Sequence, residues 1–402
     1  MNRRAALDQG KCPCGHAAAD RGAGGDIDVV TTMAFGSWRI AVERGFAFPA
    51  ERLALQLMGD SRVGRLVVAE PYRSPAGRAR DVAARHDFPA DEHTRLVAPV
   101  QVAPRWGETP EAEFRRYDRK LLAAADRLGM RRPRLIATDP VHAAVADASR
   151  WGAITYYAWD DWSVHGAYQR DWETYARAYS AIRASGIAVC AVTERLLATI
   201  APTGPSLVVP NGVRPDEWEA TGPAPDWYDA LPRPRLVYAG AIGDRLDVRE
   251  LERLADAFPD GTVALIGPIT SKPIFAALRR RPNVVIAPNQ DRDTIRGILA
   301  ASDVGIMPHV VTPLTLTMSP LKVFEYIAAG IPAVATDLPP VRDLHDRIAS
   351  VPVGGDFVGA VRAAVTRGRV LDEERQRLFR EHCWHGRFEA LLAVALREPG
   401  GG

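Results

Sequence analysis

Short runs of apolar residues alternate along this chain with longer stretches in which apolar positions recur every three or four residues. A short, β-branched run is typical of a buried strand, and the wider spacing is typical of one helix face. In the first half, the strand-like runs are 27–34, 65–69, 96–102, 134–138, 153–158 and 187–192. The helix-like stretches are 51–58, 111–128, 141–149 and 168–184. This alternation predicts a parallel sheet in an α/β fold.

The second half repeats the alternation after a stretch of different composition. Residues 214–234 are rich in proline, aspartate and tryptophan, which is typical of a linker. The strand-like runs that follow are 235–239, 263–266, 284–287, 303–308 and 332–336, and the helix-like stretches are 293–300, 320–329, 356–365 and 372–395. We therefore predict two Rossmann-like domains, at 26–204 and 205–378. A disordered tail at 1–25 would precede them, and a helix with a short tail at 379–402 would follow.

Composition narrows the classes of function. The chain has 402 residues and a formal net charge of +2, so we expect no strong field for nucleic acid. No apolar run is long enough to span a membrane, and the amino terminus lacks an apolar signal region, so we expect a cytoplasmic protein. Basic residues are spread along the chain, which gives no clear support for membrane docking and leaves peripheral contact open.

The four cysteines show no disulfide framework, which is typical of a reducing compartment. Cys12 and Cys14 lie close together near the amino terminus, but a zinc site would need more ligands at better spacing. An unstructured tail is the favoured interpretation there. We expect neither a bound metal nor a cofactor.

The stretch 317–339 predicts a loop, a helix, a tight turn and a strand. Ser319 suits a helix N-cap and Pro320 the first helical position. The free N–H groups of a helix start can bind a phosphate, and Lys322 in the first turn adds a positive charge. Glu325, one turn further on, could accept hydrogen bonds from a ribose. The alternative is an ordinary helix start with a solvated Lys322–Glu325 pair.

Two loops at strand ends add candidates for the same site. Gly240, Gly243 and Arg245 follow the strand 235–239, where a glycine-flanked loop lets a phosphate or sugar approach. Arg245 could neutralise a diphosphate, although a solvated loop arginine fits equally well. His309 follows the strand 303–308 and lies either near a bound ligand or simply in a loop.

Two carboxylates in the first half mark a second candidate site. Asp160 and Asp161 stand between Trp159 and Trp162 at the end of a predicted strand, where α/β folds place ligands. Either carboxylate could accept a hydroxyl proton or fix a sugar hydroxyl, and tryptophan faces commonly stack on sugars. Alternatively, one aspartate caps a helix and the other forms an ion pair.

The segment SPLKVFEYIAAGIPAVATDLP at 319–339 resembles the donor site of retaining family-four glycosyltransferases, which have the GT-B fold. The Asp160-Asp161-Trp162 triplet is similar to one in glycosyltransferases of the teichuronic acid type. The resemblance implies two Rossmann-like domains facing a cleft, the first binding the acceptor and the second the nucleotide sugar. The last helix would pack back on the first domain.

The same resemblance implies roles for individual residues. The loop and helix start from Ser319 to Lys322, Leu321 included, would hold the diphosphate, and Glu325 would hold the ribose. Many members carry a second glutamate eight residues earlier, where this chain has Thr317. Contacts to the donor sugar are therefore the part of the pattern from which this chain departs.

The implied reaction moves a sugar from a nucleoside-diphosphate sugar to a hydroxyl acceptor, with retention and without metal. The acceptor would be a cell-envelope glycan, a lipid-linked intermediate or a small secondary metabolite. Two other classes stay open. A nucleotide-sugar epimerase shares the fold, and a non-catalytic sugar-nucleotide binder would explain the missing glutamate at position 317.

Overall fold

The structure is a computed structural model that describes residues 25–33, 36–83, 88–101, 107–270 and 275–397. Residues 1–24, which hold most of the predicted tail together with Cys12 and Cys14, lie outside the described residues. The chain divides into two compact units. The first extends to Pro210 and resumes at His385, and the second is Asn211–Trp384.

Seven parallel strands form the sheet of the first unit. They are β1 (Ile27–Thr32), β2 (Val63–Ala69), β3 (Thr94–Val97), β4 (Arg134–Ala137), β5 (Ala153–Ala158), β6 (Ala188–Ala191) and β7 (Ser206–Val208). The helices are α1 (Trp38–Glu43), α2 (Pro49–Gly59), α3 (Pro75–Ala83), α4 (Pro110–Arg127), α5 (Pro140–Val145), α6 (Trp172–Ser185) and α7 (Glu194–Ile200). The strand order is β3-β2-β1-β4-β5-β6-β7, so the connections reverse direction between β1 and β4.

Six parallel strands form the sheet of the second unit. They are β8 (Arg235–Ala239), β9 (Thr262–Ile266), β10 (Val284–Ala287), β11 (Val304–Met307), β12 (Ala333–Thr336) and β13 (Ile348–Val351). The helices are α8 (Asp226–Asp229), α9 (Val248–Ala257), α10 (Arg292–Ala300), α11 (Pro313–Thr317), α12 (Leu321–Ala328), α13 (Phe357–Arg367) and α14 (Asp372–His382). The order is β10-β9-β8-β11-β12-β13, and it reverses between β8 and β11.

The predicted helix 372–395 is two helices, α14 and α15 (Trp384–Ala395). Cys383 between them is extended, with φ −70° and ψ 145°. Its neighbours bond to Val213 instead of continuing the helix: Val213 N donates to His382 O at 2.9 Å, and Trp384 N donates to Val213 O at 3.0 Å. Backbone hydrogen bonds to Val213 thus replace helical hydrogen bonds at this point. The helical periodicity on either side conceals this break.

The helix α15 packs on the first unit from His385 onward. Arg62 forms an ion pair with Glu389 at 2.8 Å, and the ring of Phe388 meets the edge of Tyr157. Phe388 and Tyr157 are both buried. The end of the chain therefore contributes to the core of the unit in which the chain begins.

Gly305 and Tyr326 fix the distance between β11 and α12. A Cβ atom on Gly305 would lie 2.3 Å from the Tyr326 ring, so the ring occupies the space above the strand. The Tyr326 hydroxyl donates to Ile306 O and accepts from Ala239 N, both at 3.3 Å. One buried aromatic side chain therefore ties α12 to the two central strands of its sheet.

We expect Gly305→Ala to lower the free energy of unfolding by about 1–3 kcal/mol, because the new methyl group overpacks a closed contact. Chemical denaturation would measure the loss. Gly222→Ala is the matched control, since an added Cβ there meets nothing within 4 Å. Equal stability of the two variants would show that Tyr326 can move without cost.

Candidate functional site

The carboxyl ends of β8 and β11 meet where the strand order of the second sheet reverses. Ligands of open α/β sheets bind in the crevice that such a reversal creates. Gly240 follows β8 directly, and His309 lies two residues beyond the end of β11. Sequence positions that are 69 residues apart are therefore brought to neighbouring strand ends.

Gly240 leaves room for the side chain of Lys322. Its φ is +145°, and an added Cβ would lie 2.3 Å from Cε of Lys322. Its neighbour in the next strand connection, Gly267, approaches equally closely, because a Cβ there would lie 2.1 Å from Gly240 O. We expected Gly240 to leave room for a phosphate or sugar. In the structure, the lysine of the same candidate site occupies the space next to it.

Gly243 has a local packing role. An added Cβ would lie 2.0 Å from the hydroxyl oxygen of Thr270, so the loop after β8 packs tightly on the loop after β9. Arg245, two residues further on, accepts a hydrogen bond at its carbonyl oxygen from Val310 N at 2.8 Å. The backbone of Arg245 is thereby tied to the loop after β11, and the residue as a whole is half-buried.

Lys322 is a desolvated cation beside a second cation. Its ammonium nitrogen lies 5.2 Å from the centre of the Tyr238 ring. Burial and the charge of Arg245 lower the pKa of Lys322 to about 8, while Glu325 acts in the opposite direction. Both leading effects penalise the charged amine. An anion bound here would remove that penalty, which is the electrostatic requirement of a phosphate site.

His309 is buried and neutral. Its side chain is 2% exposed, and burial together with Lys322 and Arg245 holds its pKa well below the usual value. Nε2 lies 3.4 Å from the Tyr238 hydroxyl, whereas Nδ1 has no hydrogen-bond partner among the described residues. His309 also borders a cavity of about 210 Å³ that is lined in part by Asp247 and Glu250. The imidazole can therefore offer hydrogen bonds but no charge.

The start of α12 differs from the prediction. Pro320 is the N-cap, and no side chain caps the helix. The Ser319 hydroxyl instead accepts a hydrogen bond from Asn211 N at 3.1 Å, while Asn211 Nδ2 donates to Ser319 O at 2.6 Å. The prediction of Ser319 as a helix cap was therefore wrong. Because Pro320 has no side-chain acceptor and Ser319 bonds to Asn211, the N–H groups at Leu321 and in the next positions keep their capacity for an anion.

Thr317 lies at the end of the short helix α11 and is 3% exposed. Its hydroxyl donates to Leu314 O at 2.9 Å and lies 3.2 Å from Pro313 O. Such bonds to the preceding helical turn hold the side chain against its own helix. The structure accordingly places Thr317 next to the start of α12, with its polar atom engaged locally.

Glu325 forms an ion pair that sequence analysis missed. Its Oε1 accepts a hydrogen bond from Arg292 Nη1 at 2.5 Å, and Arg292 Nη2 bonds to Glu217 at 3.3 Å. The guanidinium also lies 6.0 Å from the Trp218 ring, and the two carboxylates raise the pKa of Arg292. The solvated Lys322–Glu325 pair considered above is not the arrangement in the structure. The only hint in the sequence is an arginine just beyond a strand.

In the first unit, Asp160 and Asp161 have different surroundings. Asp161 is 2% exposed, and its Oδ1 accepts hydrogen bonds from Ser163 N at 3.1 Å and from the Ser163 hydroxyl at 2.7 Å. Burial raises the pKa of Asp161. Asp160 is more accessible; its Oδ1 accepts from Asp161 N, and its Oδ2 lies 3.8 Å from His165 Nε2. Of the two, Asp160 is better placed to meet a ligand.

The tryptophans beside these aspartates are covered by protein. Trp159 and Trp162 meet edge to face at 5.3 Å and are 7% and 2% exposed. Trp162 also contacts the rings of His165 and Tyr168. The expected stacking of these rings on a sugar does not fit this burial, and the cluster instead supports the loop that carries Asp160.

Asp139 is a further candidate that sequence analysis missed. It follows β4, at the reversal point of the first sheet, and its Oδ1 accepts from Val141 N and His142 N at the start of α5. Burial raises the pKa of Asp139 to about 6. The sequence signal was Asp139-Pro140, a helix cap followed by the favoured first residue, directly after a strand.

In the described part of the chain, no group of three or more histidine, cysteine, aspartate or glutamate side chains is arranged to hold a metal ion. In the same part of the chain, no helix combines the length and the apolar character needed to cross a bilayer.

Comparison with known proteins places this geometry in context. No family model matches the chain. A Bacillus subtilis (strain 168) protein named "Putative teichuronic acid biosynthesis glycosyltransferase TuaH" is 29% identical over 194 residues. The match covers 46% of this chain and 49% of that protein, so it spans about half the length of the relative. The resemblance to glycosyltransferases of the teichuronic acid type is thereby confirmed.

Solved structures show the same fold. The α,α-trehalose 6-phosphate synthase of Burkholderia multivorans is 14% identical, with a TM-score of 0.61 over 92% of this chain and 98% of its own. A trehalose-6-phosphate protein from E. coli, bound with UDP-2-fluoro glucose, is 14% identical, with a TM-score of 0.60 over 91% and 98%. The predicted fold class, α/β with two Rossmann-like domains of the GT-B type, is confirmed.

We expect Lys322 to titrate near pH 8, because burial and Arg245 disfavour its charged form. Acetylation followed by mass spectrometry should show its reactivity rising through that pH. An Nα-acetyl-lysine reference, which keeps its ε-amine free, should rise about two pH units higher. Arg245→Gln should move the midpoint of Lys322 upward. A Lys322 midpoint in the parent protein that equals that of the reference compound would contradict this electrostatic description. So would a midpoint that does not change in Arg245→Gln.

Proposed function

We propose that the protein is a glycosyltransferase that moves a sugar from a nucleoside-diphosphate sugar to a hydroxyl group of an acceptor. The observation that carries the proposal is the desolvated Lys322 next to Arg245, at the uncapped start of α12. Two cations and free N–H groups at a sheet reversal suit a diphosphate. Glu325, one turn along the same helix, suits the attached ribose.

The proposed chemistry uses this charge twice. Binding of the donor relieves the repulsion between Lys322 and Arg245, and departure of the diphosphate leaves negative charge where those cations already stand. His309 stays neutral and can donate or accept a hydrogen bond near the donor. We propose that these groups suffice without a metal ion. Turnover in excess EDTA would test that part separately.

The donor and acceptor classes are also proposals. A solved structure of the same fold holds UDP-2-fluoro glucose, which makes UDP the first probe for this chain. The relative named for teichuronic acid biosynthesis favours an acceptor from the cell envelope, such as a glycan or a lipid-linked intermediate, over a small secondary metabolite. Retention of anomeric configuration and a cytoplasmic location are proposed on the same resemblance.

A donor assay separates the proposal from its rivals. The purified protein is first screened for thermal shifts with UDP, GDP, dTDP, ADP and CDP, and then incubated with the matching nucleotide sugar. A transferase shifts with one nucleotide and hydrolyses its donor slowly without acceptor. An epimerase would convert the donor sugar instead, and a non-catalytic binder would leave the donor intact. Absence of any shift would contradict the proposed donor site.

Glu325→Ala tests the ribose contact. We expect nucleotide affinity to fall by about 1.5–3 kcal/mol, because charged hydrogen bonds to the ribose hydroxyls are lost. Isothermal titration with UDP would measure the change. Glu219→Ala, at an exposed position of the same unit, is the control and should bind like the parent. Parental affinity in Glu325→Ala would remove this residue from the site.

Asp160→Asn tests the acceptor side. The amide keeps the shape but removes the base, so we expect transfer turnover to fall by roughly 10²-fold or more. UDP affinity should stay the same, since Asp160 lies in the other unit. Asp126→Asn, a surface carboxylate of α4, is the control. Unchanged turnover in Asp160→Asn would return this residue to a structural role and direct attention to Asp139.

A further inference from the structure

Among the described residues, Arg292 forms the ion pair with Glu325, the proposed ribose carboxylate. It is the first residue of α10, after the capping Asp291. Nη1 donates to Glu325 on α12, and Nη2 donates to Glu217 in the segment before β8. Three separate segments of chain therefore meet at one guanidinium.

The surroundings hold this guanidinium in place. The side chain of Arg292 is only 18% exposed, and those of Glu217 and Glu325 are 14% and 15% exposed. Trp218, which is 2% exposed, lies 6.0 Å from the guanidinium carbon. A planar guanidinium between two carboxylates has little rotational freedom, so it also restricts the carboxylate that it binds.

We propose that Arg292 is a positioning residue that orients Glu325 and thereby makes the nucleotide site select a ribose over a deoxyribose. This inference rests on the proposed function, because it assumes that Glu325 meets the sugar of a nucleotide. Arg292 is not itself assigned a contact with the nucleotide.

The selectivity follows from the geometry of the carboxylate. Oε1 of Glu325 already accepts from Arg292, which leaves Oε2 and the second lone pair of Oε1 for other donors. A ribose presents two neighbouring hydroxyl donors, whereas a 2′-deoxyribose presents one. A carboxylate that is already fixed in one rotamer binds the pair of hydroxyls more tightly, because it loses little conformational entropy on binding. A carboxylate free to rotate would discriminate less.

A purely structural ion pair is the alternative, and it makes a different prediction. If Arg292 only holds α10, α12 and the segment at Glu217 together, its loss should weaken the fold and reduce binding of all nucleotides equally. If it orients Glu325, its loss should reduce the binding of the ribonucleotide much more than that of the deoxyribonucleotide.

The experiment is a pair of titrations, with UDP and with 2′-deoxy-UDP, on the full chain. We expect the parent protein to prefer UDP by at least about tenfold, as for a charged hydrogen bond to one hydroxyl. In Arg292→Gln, we expect this ratio to fall below about threefold, mainly through weaker UDP binding. Arg296→Gln is the matched control, because Arg296 lies one turn along α10 and pairs with Asp293. It should keep the parental ratio.

Further variants keep the test decisive. Arg292→Lys retains the charge but lacks the rigid, planar fork that fixes the direction of the carboxylate, so it should also lower the ratio. It decides the question alone if Arg292→Gln does not fold. Arg292→Gln combined with Glu325→Gln should give the ratio of either single variant, since both changes remove the same oriented group.

The outcomes separate the two proposals. A parent protein that binds none of UDP, GDP, dTDP, ADP and CDP would overturn the proposed function. A parent that binds dTDP but none of the four ribonucleotides would overturn only the present inference. A parent that binds UDP without preferring it to 2′-deoxy-UDP would overturn only the present inference. A preference that persists in the folded Arg292 variants, or an equal loss of both ligands, would also overturn the inference, and would leave the nucleotide site itself intact.

Discussion

The approach of Lys322 to Gly240 is the constraint on which the donor-side site depends. An ammonium group reaches the end of β8 only because residue 240 has no Cβ and adopts a positive φ. The same approach removes the amine from solvent and sets it beside Arg245, which lowers its pKa to about 8. Packing and electrostatics therefore act against each other here. The protein keeps a cation where burial and a second cation disfavour its charge, and a group perturbed in this way is a candidate for a functional site.

The start of α12 likewise lacks a stabilising contact that a ligand could replace. A serine beside a helix start usually caps it, and replacing a good cap commonly costs about 1 kcal/mol. The Ser319 hydroxyl instead accepts a hydrogen bond from Asn211 N. The helix begins after Pro320, whose side chain has no hydrogen-bond acceptor. Its first N–H groups are thus left for another partner. The hydrogen bonds to Asn211 in turn fix the loop that leads into the helix, so a distant segment of the chain holds this part of the site.

Local patterns predicted the fold well, and long-range contacts limited the rest. Apolar runs located the central strands of both sheets, because burial on two faces leaves a signal in each strand. The break at Cys383 and the alternative partner of Ser319 depend on residues more than 100 positions away, at Val213 and Asn211. No helical or turn periodicity records such a partner. The prediction for Ser319 failed for this reason, and Arg292 was missed altogether.

The ion pairs of Arg292 are an unfavourable way to stabilise the fold, which suggests that they serve a ligand. Buried charges stabilise a fold less than apolar contacts of the same size, because each ion loses its hydration. A protein that keeps Arg292 between Glu217 and Glu325 accepts that cost, and it gains a carboxylate with a fixed direction. The direction matters only if Glu325 meets a ligand with defined donors. The cation cluster at Lys322, one turn away on the same helix, supplies the reason to expect such a ligand: a molecule that carries negative charge at one end and hydroxyl groups at a short, fixed distance from it.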